Sequence, residues 1–384
     1  MILHARHRLD VSLADLLFAA KACVTERKPT GLTHDGALIC QSVRSAFDLA
    51  LTALAWPRGS EVLTTALTIP DMVRVMDDHG LVAVPVDLEA ETLAPTVEWL
   101  EAARTPRTKA VLVAHLLGGR MDVAPIAAFA RRHALTLIED VAQGFAGPQW
   151  QGHAEADVSL FSFGSIKTAT ALGGALAVVR DEALRNQMAE TQAGWPEQPV
   201  AHYAKKVART LALHVVRDGR SYGALALLCE RTGHTLEQVL NAVTKGFPDA
   251  SAMLTGIRRR PAAPLVALLR RRWHRFDYGR FDRRAIAGEL LSAAVQLPVV
   301  GMKQKARSHW LFAVQAPDPD ALIARLYARG FDATRGATSL AAVPAPPGHA
   351  AATRVQALLE HIVFLPAWPE LPAAERHRLA SEVR

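Results

Sequence analysis

Between Ser42 and Val179 short, continuous apolar runs alternate with stretches of helical periodicity. This alternation restricts the possible folds more than any other feature of the chain. Phe47 lies three residues before Ala50 and Leu49 four before Ala53, so 45–55 reads as a helix, which Pro57 and Gly59 stop. The runs 61–67, 82–87, 109–117, 135–140, 157–163 and 174–179 read as strands. Helices are expected at 70–79, near 95–103 and at 125–133. Strands that are apolar throughout must be covered on both faces, and crossover helices supply that cover. The expected fold is therefore α/β, with a large domain built on a mostly parallel sheet. In such sheets the reactive groups sit in loops beyond the carboxyl ends of the strands. That places attention on Asp140, Ser162 and the residues just after Phe163.

The alternation ends near Gly194. Residues 1–193 form the expected large α/β domain, 194–284 a basic and largely helical connection, and 285–384 a smaller α+β domain. In the last, 310–316 and 361–367 read as strands, 319–329 and 373–383 as helices, and the Pro/Ala stretch 341–352 as a surface loop. Val200, Tyr203, Val207 and Leu211 share one helical face, with His202, Lys205, Lys206 and Arg209 opposite. From 200 to 285 there are 17 Lys or Arg against 6 Asp or Glu, although the whole chain is only +7. Charge confined to one segment indicates one face or insert rather than a nucleic-acid-binding protein. Two readings of this segment stand. Its apolar face packs on its own domain and the Arg triplets 258–260 and 270–272 are solvated, or it contacts an anionic membrane surface or a polyanionic substrate.

Three widely spaced cysteines, Cys23, Cys40 and Cys229, make no disulfide framework or four-thiolate site, and a reducing compartment fits them. No apolar run reaches the roughly 20 residues of a membrane span. Asp10, Asp15 and Lys21 interrupt what a signal peptide would keep apolar. A cytoplasmic protein without a metal site is expected.

The sequence has no GxGxxG after the first strand, no Walker A run, no GxSxG elbow and no HExxH pair. What remains is a constellation. Asp140 ends a buried strand in LIEDVAQ, with Gln143 three residues on, and SLFSFGSIK carries Ser162 and Lys167. A buried carboxylate and a lysine at a strand exit are what pyridoxal 5′-phosphate requires. The amine forms a Schiff base and the carboxylate keeps the pyridine nitrogen protonated. The phosphate needs helix N-terminal amides and hydroxyls, which QSVRSAF offers through Ser42, Arg44 and Ser45.

These motifs resemble the DegT/StrS family of fold-type I pyridoxal-phosphate aminotransferases. LIEDVAQ and SLFSFGSIK stand at that family's spacing, 27 residues from Asp140 to Lys167, and HWLFAV, LIARLYARGFDAT and HIVFLPAWPEL look like its small domain. The resemblance covers most of the chain except about 194–284. It implies Lys167 as the Schiff-base lysine and proton carrier, Asp140 at the pyridine nitrogen and Gln143 at the ring hydroxyl. Ser162 and the backbone at Arg44 and Ser45 would hold the phosphate. It also implies a homodimer, a glutamate-like amino donor and a carbonyl acceptor such as a keto sugar. The family's dehydratases replace the lysine by histidine, so Lys167 points away from that branch. The chain departs at several places: Ser42-Val43-Arg44-Ser45 replaces a Ser-Gly-Thr type of turn, Ile69 a ring-stacking aromatic, and Thr168 a common asparagine. TQAGWPEQ lacks the turn that reaches the partner's phosphate.

Each residue also has a plainer reading. Asp140 or Ser45 could cap a helix, and Arg44 could face solvent. Ser165 with Lys167 could form a dyad, which would leave Asp140 and Gln143 unexplained. His115, His309 and Arg335 are candidates for lining the site, whereas Trp195, Trp273 and Trp310 are expected to pack. Cys229, in a Leu-rich helical run, is a poor nucleophile. Elimination or decarboxylation on the same lysine, and a non-catalytic relative of the family, remain as alternative functions.

Overall fold

The six apolar runs supply six strands of one eight-stranded sheet, to which residues 33–34 and 37–40 add two that were not expected, in a computed structural model of the chain, which describes residues 2–384 except 27, 30, 217, 235 and 237–249. Its strands are β1 (Thr33–His34), β2 (Ala37–Cys40), β3 (Glu61–Thr65), β4 (Val82–Val86), β5 (Thr108–Ala114), β6 (Thr136–Asp140), β7 (Val158–Ser162) and β8 (Ala175–Val179). Their spatial order is β1-β2-β8-β7-β6-β5-β3-β4. From β4 to β7 neighbouring strands are parallel, and β8, β2 and β1 add an antiparallel edge.

Alternate residues of each strand enter different cores, as the period of two requires. Leu38, Cys40, Ile138 and Leu160 face the helices α2 (Val43–Leu54) and α3 (Pro70–Asp78). On the other face Ile39, Phe161 and Leu176 meet α1 (Leu13–Thr25), and Leu137 meets α5 (Ala124–Arg132), which follows α4 (Val97–Ala103). The chain continues through α6 (Glu182–Ala193), α7 (Val200–Val215), α8 (Gly219–Arg231), α9 (Ala250–Ile257), α10 (Ala263–Arg275) and α11 (Gly279–Ser292). Tyr203 and Val207 of α7 and Leu265, Leu268 and Leu269 of α10 lie in the same core as α1. The apolar face of α7 is thus spent on the large sheet.

The arginine triplets, expected to be a solvated face, are in good part internal clamps. Arg258 reaches buried Asp48 at 2.7 Å, Arg271 and Arg272 grip Asp15 at 2.9 and 2.7 Å, and Arg272 also donates to Thr170 O at 3.1 Å. Each arginine neutralises a carboxylate that burial would otherwise make costly.

The C-terminal unit pairs β9 (Phe312–Gln315) with β10 (Ile362–Leu365), antiparallel, and adds α12 (Pro319–Ala328), α13 (Thr353–His361) and α14 (Ala373–Glu382). Its core holds Phe312, Val314, Leu326, Val363 and Leu379. Two connections tie it back to the rest. The N-terminal segment bridges Phe331 at His4 and chelates Asp332 through Arg6 at 2.7 and 2.8 Å. Residues 341–342, expected in a surface loop, pair with Leu67–Thr68 instead. Among the described residues no helix is long and apolar enough to cross a membrane.

Candidate active site

The parallel strands β6 and β7 end side by side, and the two motifs meet there. Asp140, the last residue of β6, is 7% exposed, and its Oδ1 accepts a hydrogen bond from Ala142 N at 2.9 Å. Burial raises its pKa, against the pull of the Ala142 amide and of Lys167. After Ser162 at the end of β7, residues 163–174 fold back over the strand end. Phe163 O accepts from Ala171 N and Gly173 N, both at 3.0 Å, and Gly174 N donates to Gln41 O at 2.9 Å. Lys167 sits in this loop, its own N–H turned onto Gly164 O at 2.9 Å. Burial pushes its pKa down to about 8, with Arg44 reinforcing the shift and Asp140 opposing it.

An aromatic ring stands against this amine: Lys167 Nζ lies 4.1 Å from the ring centroid of Trp310. Trp310 was expected only to pack. It is buried, but its Nε1 donates to Ile166 O at 3.0 Å, and His7 Nε2 donates to the same carbonyl at 2.9 Å. His7 is held neutral, its pKa lowered to about 4 by burial despite that hydrogen bond, with Arg284 and Lys167 adding to the effect. Arg284 donates to Thr168 Oγ1 at 2.5 Å. Residues 166–168 are therefore pinned from the N-terminal segment, α11 and the start of β9. Sequence reasoning missed His7, Arg284 and Trp310 as neighbours of the lysine; the only local signal was Trp310's position at the head of a strand.

The other predicted residues divide. Ser42 caps α2, its Oγ accepting from Ser45 N at 3.2 Å, and the two hydroxyls are 2.9 Å apart. Ser45 is fully buried and its amide is engaged in this cap. Arg44 is ion-paired with Asp71. Gln143 Oε1 accepts from Leu117 N at 3.0 Å, which leaves its NH2 as the group to present to a ligand. Ser162 Oγ accepts from Gly164 N at 3.3 Å and keeps its proton to donate. Ile69 packs against the core beside α2 and α3.

Three further candidates are held by their own partners. His115 lies beside Asp140, its amide donating to Asp140 O at 2.9 Å, while its ring is engaged by Glu139 Oε1 at 3.0 Å through Nε2 and by Met121 N, from which Nδ1 accepts. His309 pairs with Glu289 at 3.0 Å, and Arg335 binds the carbonyls of Leu359 and Glu360 near the end of α13.

Residues 30–208, which contain Arg44, Ser45, Asp140, Gln143, Ser162 and Lys167, match the model of the DegT/DnrJ/EryC1/StrS aminotransferase family. Solved structures of similar fold include DesV from S. venezuelae, at 21% identity and TM-score 0.67, covering 97% of this chain and 93% of that one. Helicobacter pylori PseC matches at 15% identity and TM-score 0.70, over 99% and 98% of the two chains. The E. coli GDP-4-keto-6-deoxy-D-mannose-3-dehydratase matches at 15% and 0.71, over the full length of both. At these identities the likeness is one of fold, that of the fold-type I enzymes. The family's cofactor is pyridoxal 5′-phosphate, and the donor set here fits it. Lys167, an amine of lowered pKa, is charge-coupled to the buried carboxylate of Asp140 and to Arg44 in the first turn of α2, and Ser162 is joined through Ala175 to Cys40, just before that helix. Over residues 30–208 the chain is thus similar to pyridoxal-phosphate-dependent aminotransferases, and its fold is theirs.

Proposed function

We propose that the enzyme moves an amino group from a glutamate-like amino acid to the carbonyl of a keto sugar, with Lys167 as its reactive amine. The observation that carries this reading is the Lys167 amine, lowered to about 8 and charge-coupled to Asp140 at the adjoining strand end. When bound, the cofactor supplies an electron sink for the carbon that loses its proton. Asp140 would keep the pyridine nitrogen protonated, and Gln143 would donate to the ring oxygen. Ser162 and the first turn of α2, at Arg44 and Ser45, would hold the phosphate. Lys167 Nζ, a free base at mildly alkaline pH, takes the proton from the donor's α-carbon and returns it across the site. Trp310 covers one side of that amine, and His7 helps to hold the Ile166 carbonyl next to it. The sugar acceptor is supported by similarity to CalS13 of Micromonospora echinospora, described as a sugar aminotransferase, and to PseC, described as an aminotransferase of pseudoaminic acid biosynthesis. The assembly we propose is a homodimer, which the family resemblance implies.

The test is borohydride reduction of the cofactor-loaded protein followed by peptide mapping. Cofactor on Lys167 supports the assignment, and cofactor on any other lysine overturns it. A screen of amino donors against nucleotide-linked keto sugars then reads the transfer. Ammonia release without an aminated product would favour elimination instead.

A further inference from the structure

Lys206 does not behave as the solvated lysine its place on α7 suggested. Its residue is exposed overall, yet its Nζ lies 3.8 Å from where a Cβ on Gly173 would stand, at the loop that carries Lys167. The helix is fixed in that position because buried Tyr203, three residues earlier, donates its hydroxyl to Ala171 O at 2.9 Å. Crowding around the amine lowers its pKa, and Arg44 adds to the effect. Arg44 acts in the same direction on Lys167.

Arg44 is thus charge-coupled both to Lys167 within the loop 163–174 and to Lys206 against it, at the N-terminus of α2, whose dipole is itself positive at that end. The carboxylate that pairs with Arg44, Asp71, is shared with Arg74 at 2.7 Å. No carboxylate among the described residues pairs with Lys206. Like charges held together by the fold are costly unless an anion lies between them. The cofactor's phosphate is a dianion expected at this helix end.

We propose that Lys206 is a phosphate ligand of the cofactor, brought in by α7 to complete, with Arg44, the anion cradle at the start of α2. The inference rests on the cofactor reading above and extends it to a residue from the basic connection. A charge-assisted contact between an ammonium and a phosphate oxygen corresponds to about a tenfold change in affinity or more.

The experiment compares two probes on the apoprotein, pyridoxal 5′-phosphate and pyridoxal, which lacks the phosphate, each titrated by its visible absorbance. Lys206→Met should weaken the phosphorylated cofactor about tenfold and leave pyridoxal within about twofold. Lys206→Arg should restore most of the loss. Equal weakening of both probes would make Lys206 a packing residue and overturn the proposal. An unchanged cofactor affinity with a raised KM for a nucleotide-sugar acceptor would overturn it too, moving the lysine to the substrate's phosphates. If the wild type binds neither probe, the cofactor reading itself falls.

Discussion

The chemistry of Lys167 rests on removing one amine from water beside one carboxylate. Burial lowers its pKa from 10.5 to about 8, so the folded protein holds this proton less tightly than the unfolded chain does. Between about pH 8 and 10.5 the folded state carries fewer protons, and this group's penalty on stability is relieved as pH rises through that window. The apoprotein should accordingly capture cofactor faster as pH rises, levelling off above about 8 instead of near 10.5. Stopped-flow absorbance from pH 6.5 to 10 measures this, and a midpoint near 10.5 would show an ordinary solvated lysine. Lys167→Ala should abolish the visible band and the transfer while circular dichroism stays native. Asp140→Asn should keep the cofactor but lose activity on the order of a thousandfold, since a neutral amide cannot stabilise the protonated ring nitrogen. Turnover close to wild type would make Asp140 purely structural.

At the scale of elements, the loop 163–174 is the part that must not move, and Gly174 is where it is most tightly held. Its φ is +88°, and a Cβ there would stand 2.9 Å from Leu269 Cδ1 and 3.0 Å from Leu265 Cδ2 of α10. The left-handed backbone favours glycine, and a Cβ there would push the ends of both leucine side chains aside. Gly174→Ala should cost about 1–3 kcal/mol, read as a lower Tm, and should weaken cofactor retention because the same loop carries Lys167. Unchanged retention would show that the lysine is held by Trp310 and His7 alone. Helix α7 contributes Tyr203 to this loop as well as Lys206, so the basic connection is joined to the site and does not hang from it.

Across the whole molecule, α1 and α10 are fastened by one buried carboxylate. Burial pushes the pKa of Asp15 up, but Ser12, Arg271 and Arg272 together pull it below its ordinary value. The stability it contributes is therefore fully present above the unfolded pKa of 3.8 and is lost as pH falls through the lower folded value. Asp15→Ala leaves buried Arg272 without the carboxylate that balances its charge and should cost about 3 kcal/mol, seen as a lower urea midpoint at unchanged slope. The sequence by itself determined the alternation of strand and helix, because spacing among near neighbours encodes it, and with it the strand ends that bear Asp140 and Ser162. It also placed Lys167 in the loop that follows. Tertiary structure alone decided which groups stand against that lysine. Ile166 O is bound by Trp310 and His7, 144 and 159 residues distant in sequence, and no local periodicity specifies a meeting of that kind. The arginine triplets show the same limit. Their charge is plain in the sequence, but whether each meets water or a buried carboxylate depends on which element the fold lays across it.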